Sequence, residues 1–248
     1  MKIALIGYGK LGREIEVCAK QRGHTLVRID PNAKDADYLE VSSESLKGAD
    51  IAIEGSHPSA VMDNIAKTAA LGVNLVVCTT GWYERMEEVS QLIAKNGTGL
   101  IWSGNFSLGV NFFMRIVEGA AALIDQVDGY DISIHEYHHA KKADSPSGTA
   151  LMLGNAILKQ MTRKESIVTE RLDRPINPNE LHISSTRCGS IPGIHKVTID
   201  SAADTIELTH TARTRQGFAL GAVLGAEFIA GKKGVYTIDD LMNEVVGG

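Results

Sequence analysis

The chain is 248 residues long, with 44% apolar and 22% charged residues and a formal net charge of -5. That is the composition of a soluble globular protein with enough length for one large core or two modest ones, and it excludes the disordered and fibrous classes. Net acidity, with a pI near 5.9, gives no electrostatic reason to expect nucleic acid or an anionic membrane as partner, and no apolar run approaches the roughly 20 residues of a membrane span. Cys18, Cys78 and Cys188 are far apart and lack CxxC spacing, so neither a disulfide framework nor a zinc knuckle is expected. The apolar start, residues 1–5, is cut at once by Gly7 and Gly9, which leaves no signal-peptide core; a reducing cytoplasm is the expected compartment.

Residues 2–6 form a β-prone run, followed by Gly7-Tyr8-Gly9-Lys10-Leu11-Gly12 and a helix-permissive stretch over 13–21 that ends at Gly23. G-x-G-x-x-G between a strand and a helix is the dinucleotide fingerprint: the first glycine permits the tight turn, the second admits a pyrophosphate to the backbone, and the third lets helix and strand pack closely. The phosphates would sit on the helix N-terminus, among Lys10, Leu11 and Gly12, where free N–H groups and the dipole favour an anion. A second strand over 25–29 ends in Asp30, placed to accept from a ribose 2′-hydroxyl. This leans toward NADH, while Arg28 and Lys34 leave NADPH open.

Strand and helix then alternate: strand 50–54, helix 58–71, a near-continuous apolar strand 73–78, helix 84–95 and strand 99–103. This pattern predicts an α/β fold with a Rossmann-type, doubly wound parallel sheet. Ligands on such sheets bind beyond the carboxyl ends of the strands, so Ser56, Thr79 and Thr80 after Cys78, and Gly104-Asn105-Phe106 are expected to line a cofactor cleft.

The grammar changes after Ser107. A helix over 111–124 leads to a strand over 130–137, in which Tyr130, Ile132 and Ile134 alternate with Asp131, Ser133 and His135. Strands over 181–187, 195–201 and 205–210 follow without intervening helices, so an α+β second domain with an open mixed or antiparallel sheet is predicted, mainly antiparallel. Its uncovered face is a plausible oligomer interface or a solvated surface. Residues 162–180 read as a charged loop, and the Ala/Gly-rich helix over 218–230 is expected to pack back on the first domain. The resulting division is 1–109 with 214–248 for dinucleotide binding and 110–213 for substrate binding and oligomerisation.

The densest chemistry lies in His135-Glu136-Tyr137-His138-His139-Ala140-Lys141-Lys142-Ala143-Asp144-Ser145-Pro146-Ser147-Gly148-Thr149. Its start spells H-E-x-x-H, a zinc-protease motif when carried on a helix. Here the alternation argues strand, which would set His135 and His139 roughly 13 Å apart, too far to share a zinc with bonds of about 2 Å. No metal is expected. Beside a nicotinamide cofactor the same residues supply a proton donor and an anion cradle, because a helical pattern over 150–161 follows and the N–H groups of Gly148 and Thr149 would open its positive end. Strict alternation puts His139, not His138, on the open face with His135 and Tyr137.

The pattern E-x-H-H-x-x-K-x-D-x-P-S-G-T, present as Glu136 to Thr149, resembles the signature of the dihydrodipicolinate reductase family of bacterial and plant lysine and diaminopimelate biosynthesis. The resemblance covers the whole chain: the glycine fingerprint, Thr79-Thr80-Gly81, Asn105-Phe106-Ser107, Gly193 with His195 and Val197, and Arg215 with Phe218-Ala219 and Gly221-Ala222 fall in the family's order. It implies an NAD(P)H-dependent oxidoreductase acting on CH-CH donors that reduces 4-hydroxy-tetrahydrodipicolinate to tetrahydrodipicolinate. It further implies His138 as general acid, Lys142 in catalysis and substrate binding, and His139, Ser147, Gly148 and Thr149 as holders of a dicarboxylate substrate. Gly7, Gly9, Lys10, Leu11, Gly12, Asp30, Ser56, Cys78, Thr79, Thr80, Gly104, Asn105, Phe106 and Arg215 would hold the cofactor, and four copies would assemble as a homotetramer. His138 as the acid would require the strand to end or twist near Tyr137.

Two positions depart from the family's pattern: Cys78 stands where glycine is usual before Thr-Thr-Gly, and Pro31 stands where a basic residue often follows the acidic one. Both concern cofactor handling. The competing readings are another two-domain dehydrogenase, for diaminopimelate or aspartate, which would need a substrate amine, and a non-catalytic NAD(H)-binding sensor, which leaves the His/Lys segment without a purpose.

Overall fold

A computed structural model describes residues 1–247. In chain order the elements are β1 Lys2–Ile6, α1 Lys10–Gln21, β2 Thr25–Ile29, β3 Ile51–Glu54, α2 Val61–Ala70, β4 Asn74–Val77, α3 Met86–Asn96, β5 Gly99–Trp102 and α4 Leu108–Ile124. They continue with β6 Asp131–His138, α5 Gly148–Gln160, β7 Ser166–Val168, β8 Glu180–Arg187, β9 Ile194–Asp200, β10 Thr205–Thr211, α6 Gln216–Ile229, β11 Gly234–Thr237 and α7 Ile238–Gly247. The chain divides into two compact units, one of Met1–Leu108 with the chain from Arg215 onward, the other Gly109–Thr214.

The first unit carries a six-stranded sheet in the order β11-β5-β4-β3-β1-β2, parallel throughout. Its strands are apolar on both faces, and period-2 alternation sends successive residues to opposite layers. Ile3, Leu5, Val76 and Ile101 meet Ile15 and Ala19 of α1 and Ala222, Val223 and Ala226 of α6. Leu75, Val77 and Leu100 meet Val61 and Ile65 of α2 and Val89 and Ile93 of α3. The chain order reverses at β1, which has β2 on one side and β3 on the other, and that switch point is where a ligand crevice forms. β11 and α7 close this unit beyond the predicted helix. Neither carries a local signal that announces it, since β11 is four half-buried residues with no alternation.

The second unit carries a five-stranded sheet in the order β10-β9-β6-β8-β7. It is mixed rather than mainly antiparallel: β10–β9 and β9–β6 are antiparallel, whereas β6–β8 and β8–β7 are parallel. The β6–β8 pairing is parallel because α5 lies between them in the chain, a crossover that the expected order of bare strands did not weigh, and β7–β8 is parallel across the connection over 169–179. The predicted loop over 162–180 contains β7, too short at three residues to show a period. Phe113, Val117 and Ala121 of α4 and Leu153 and Ile157 of α5 cover one face, against Ile132, Ile134, Leu181, Ile183, Val197 and Ile199. The other face carries half-buried Ser133, His135, Tyr137, Ser184, Thr186 and Thr198. Among the described residues no helix is long and apolar enough to cross a membrane.

Candidate active site

The dinucleotide half is built at the β1–α1 turn. Gly7 has φ 93, and a Cβ there would lie 2.6 Å from the Gly55 carbonyl oxygen; at Gly12 it would strike the Gly7 carbonyl. Only glycine lets this turn close against β3 and against its own helix. Gly9 is different: it is exposed, a Cβ there meets nothing within 4 Å, and as the N-cap of α1 it offers no side chain to the first-turn N–H groups. The N–H groups of the turn around Lys10 and Leu11 therefore stand at an open positive helix end, as a pyrophosphate requires. A cavity of about 610 Å³ extends from this turn, lined among others by Gly7, Gly9, Asp30, Ser56, Asp63 and Lys67. Thr79 Oγ1 is buried without a hydrogen-bond partner. The open glycine, the helix end and this orphaned hydroxyl fit a dinucleotide.

Asp30 does more than face a ribose. Its Oδ2 accepts from the Tyr8 N–H at 2.7 Å, and its Oδ1 from Asn32 and Ala33 N–H at 2.7 and 3.0 Å. Burial works to raise its pKa, but these three donors outweigh burial and hold it below the usual carboxylate range. It thus pins the glycine turn to the end of β2, and of the roughly four lone-pair sites of a carboxylate about one remains for a hydroxyl. Arg28, a competitor for a 2′-phosphate in the sequence, is held by Asp37 at 2.9 and 3.0 Å. Ser56 donates to the buried Glu54 carboxylate, which no sequence signal marked. Burial, reinforced by Glu54, pushes the Cys78 thiol well up and leaves it unreactive.

The remaining predicted cofactor residues separate into kinds. Thr80 and Gly104 are exposed at strand ends, and Arg215 is exposed at the N-cap of α6. Asn105 is buried, with its Oδ1 accepting from Ser107 N–H at 2.9 Å, and the Phe106 ring belongs to the core under α6 rather than to an open surface. These two shape the turn through packing and backbone.

The second half-site lies at the end of β6. The strand runs unbroken through His138, and its covered face continues in register through Ile132, Ile134, Glu136 and His138. The sequence expectation that the strand must end or twist near Tyr137 is therefore corrected. His138 belongs to the covered face, and what changes is the cover: beyond the apolar core the N-terminal end of α5 replaces its aliphatic side chains. His139 follows the strand, half-buried. His135 points to the other face, its Nδ1 2.6 Å from Ser184 Oγ, so His135 and Glu136 cannot act as neighbouring groups of a helical H-E-x-x-H site.

Glu136 is fully buried at the centre of the cluster. Its Oε1 accepts from Ser147 N–H at 2.9 Å, Ser185 Oγ at 2.9 Å and Arg187 Nη2 at 2.9 Å. Its Oε2 faces His138 Nδ1 at 3.2 Å and His195 Nε2 at 3.6 Å. Burial alone would raise this carboxyl, but His195, Ser147, Arg187 and Ser185 together hold it far below its ordinary range. Register explains the assembly: Glu136 sits opposite Ser185 on β8 and His195 on β9, and His138 sits opposite Arg187. Five strand positions scattered over sixty residues thus make one cluster.

Ser147 caps α5, accepting from Ala150 N–H at 3.2 Å, with His195 Nε2 3.1 Å from the same oxygen. It is buried and serves to lock the helix start onto β6, while Gly148 is exposed and a Cβ there meets nothing within 4 Å. Lys142 Nζ donates to both oxygens of Asp144 at 2.7 and 2.8 Å, and Arg187 Nη2 also donates to the Asp144 carbonyl at 2.5 Å. Burial pushes the His138 imidazole down to about 4; Glu136 opposes this, and His195, Lys142 and Arg187 reinforce it. Sequence reasoning missed Arg187 and Ser185, which carry no local pattern; Glu136 appeared in the dense 135–149 stretch and His195 in the family resemblance, both without a role in the reduction.

A parallel sheet with a glycine phosphate turn, together with a second unit presenting a histidine, a lysine and an open helix N-terminus, defines a nicotinamide-dependent oxidoreductase. Two family profiles match nearly the whole chain, dihydrodipicolinate reductase N-terminus over residues 1–106 and C-terminus over residues 109–242. The chain belongs to the dihydrodipicolinate reductase family. It is 36% identical over 246 residues to the 4-hydroxy-tetrahydrodipicolinate reductase of Christiangramia forsetii, covering 99% of both chains. To the enzyme of that name from Staphylococcus carnosus it is 35% identical over 253 residues, covering 98% of this chain and 100% of the relative. Its fold matches a dipicolinate-bound dihydrodipicolinate reductase from Paenisporosarcina sp. TG-14 with a TM-score of 0.78 at 22% identity, covering 96% and 97% of the two chains.

Proposed function

We propose that this enzyme reduces 4-hydroxy-tetrahydrodipicolinate to tetrahydrodipicolinate, with His138 as proton donor and the Lys142 to Thr149 segment as carboxylate cradle. The observation that carries the reading is His138 buried against Glu136 at the end of β6, beside the open start of α5. A bound nicotinamide supplies the hydride. His138 Nε2, the ring nitrogen turned away from Glu136, delivers the proton to the ring carbon that becomes basic. Lys142, His139 and the N–H groups of Gly148 and Thr149 bind the two carboxylates. In the free enzyme His138 is neutral at neutral pH. A dianion brought beside it offsets the charge of Lys142 and Arg187 and raises its pKa, so the acid is charged as the substrate arrives. Oxidation of reduced nicotinamide with enzymatically generated substrate tests the reaction, and no turnover with either cofactor would sink it.

Lys142→Ala removes a charge-assisted contact worth about 2 kcal/mol, so KM for the substrate is expected to rise roughly 30-fold and kcat to fall with it. An unchanged KM in steady-state kinetics would move the carboxylate contact to other residues.

For the cofactor we favour NADH. Asp30, Glu40 and Asp63 line the cavity, and its Lys67 is already paired with Asp63 at 2.9 Å. Carboxylates in excess repel a 2′-phosphate. The expected result is a higher kcat/KM for NADH than for NADPH, and a strong NADPH preference in the same assay would overturn the assignment. We assign the half-buried second face of the β10-β9-β6-β8-β7 sheet to assembly of a homotetramer, and the cytoplasm as its compartment. Sedimentation at a monomer mass would refute the tetramer.

A further inference from the structure

Glu136 has no task in the proposed proton transfer, although it is the most completely enclosed charge of the half-site. Its two oxygens are unequal. Oε1 takes three donors from two segments: Ser147 at the start of α5, and Ser185 and Arg187 on β8. Oε2 takes no hydrogen bond, lies wholly buried, and faces two imidazole nitrogens. A buried carboxylate oxygen without a donor is costly unless a positive charge visits it. We propose that Glu136 is the positioning residue of the reaction: Oε1 anchors it, and Oε2 is the counter-charge that lets His138 hold its proton as an imidazolium aimed through Nε2 at the substrate. This rests on the assignment of His138 as the proton donor.

The groups facing His138 are Glu136 on its own strand, His195 on β9, Arg187 on β8, and Lys142 in the segment before α5; Asp144 is spent on Lys142 and the Arg187 head also reaches its carbonyl. All but Glu136 are cationic or become so. Among the described residues facing it, Glu136 alone therefore favours the imidazolium, against burial and three neighbours. His195 competes for the same oxygen, at 3.6 Å against 3.2 Å, so the two rings share one counter-charge and do not both carry a proton readily. On the far side of the ring, a Cβ on Gly193 would come within 3.0 Å of Nε2, so the glycine leaves that nitrogen in place.

The test is the pH profile of kcat for Glu136→Gln and Glu136→Asp, with KM measured alongside. A general acid loses activity as pH rises through its pKa in the complex. Removing the counter-charge lowers that pKa, so in Glu136→Gln the alkaline limb should move to lower pH by about one to three units. kcat at neutral pH should fall by at least ~10-fold and recover toward acid pH, while KM for the substrate stays within ~3-fold because Glu136 does not touch it. Glu136→Asp should keep the limb near its native position while losing rate. Were Glu136 merely structural, kcat would drop equally at all pH values with no displacement, and that result overturns the proposal. Histidine ¹⁵N NMR of the native enzyme with pyridine-2,6-dicarboxylate covers the case in which the variants do not fold. A protonated His138 with a carboxylate-bonded Nδ1 proton is expected, and a neutral ring in the complex overturns it. The two readings separate: a His138→Ala enzyme with unchanged rate removes the proton donor itself, whereas a slow His138→Ala beside an undisplaced Glu136→Gln profile removes only the role of Glu136.

Discussion

His138→Ala is expected to lower kcat by ~10²- to 10⁴-fold, the usual worth of a positioned general acid. The loss should appear in kcat more than in KM, because the proton is needed only as the ring carbon becomes basic, and a group that acts in the transition state leaves ground-state binding largely alone. Substrate carboxylates would still meet Lys142 and the start of α5. The sign of the pH dependence follows from the environment. Burial pushes the free His138 down to about 4, so the free enzyme must take up a proton when the dianion binds. The native kcat should therefore fall on the alkaline side, at a pH above the free-enzyme value, and His138→Ala should flatten that limb. Proton uptake can be read directly by calorimetry in buffers of different ionisation enthalpy with pyridine-2,6-dicarboxylate as the probe. A His138→Ala enzyme within about threefold of native would reassign the acid to another group, His139 or a bound water being the next in reach.

The second large effect is on the fold. Gly221→Ala should destabilise the protein by about 4 kcal/mol, among the larger values for a single substitution, and lower its melting temperature by roughly 10 °C. The reason is backbone against backbone. A Cβ on Gly221 would lie 2.8 Å from the Phe106 carbonyl carbon and closer still to its oxygen. Neither atom can rotate away, since α6 is packed through Ala219, Ala222, Val223 and Ala226 onto β3, β4 and β5, and Phe106 is held in the same core. Relief requires α6 to lift off the sheet, opening cavities along its length. Gly119→Ala is the matched control: it lies exposed in α4 with nothing within 4 Å of the added Cβ, and it should stabilise by about 0.5 to 1 kcal/mol through helix propensity. Differential scanning fluorimetry of both decides the matter, and a Gly221→Ala protein melting within two or so degrees of native would refute the packing argument.

Where local rules carry, the sequence was enough. Short, near-continuous apolar runs with short turns located β1 through β5, and the parallel sheet followed from helices between them. Four helix starts lay two or three residues earlier than periodicity suggested, at Lys10, Leu108, Gly148 and Gln216, because a first turn can be glycine or polar and still be helical, whereas α2 and α3 began two or three residues later, at Val61 and Met86. The second unit was less legible. A three-residue strand, a parallel pairing bridged by α5 and the terminal β11 with α7 depend on partners rather than on their own pattern.

The same division holds at the site. Residue types and spacing marked the phosphate turn, the histidine and lysine of the 135–149 segment and the helix end that follows it, because each is written in consecutive residues whose chemistry follows from local backbone. Only the tertiary structure decided that Asp30 braces the glycine turn, that Phe106 belongs to the core and that Ser147 is consumed as a cap. It also decided which face His138 occupies. Alternation correctly put Ile134, Glu136 and His138 on one face, but whether that face is apolar core or buried polar site depends on Ser185, Arg187 and His195 arriving from β8 and β9 in register. Pairing across strands is a long-range choice that leaves no periodic trace in any one of them.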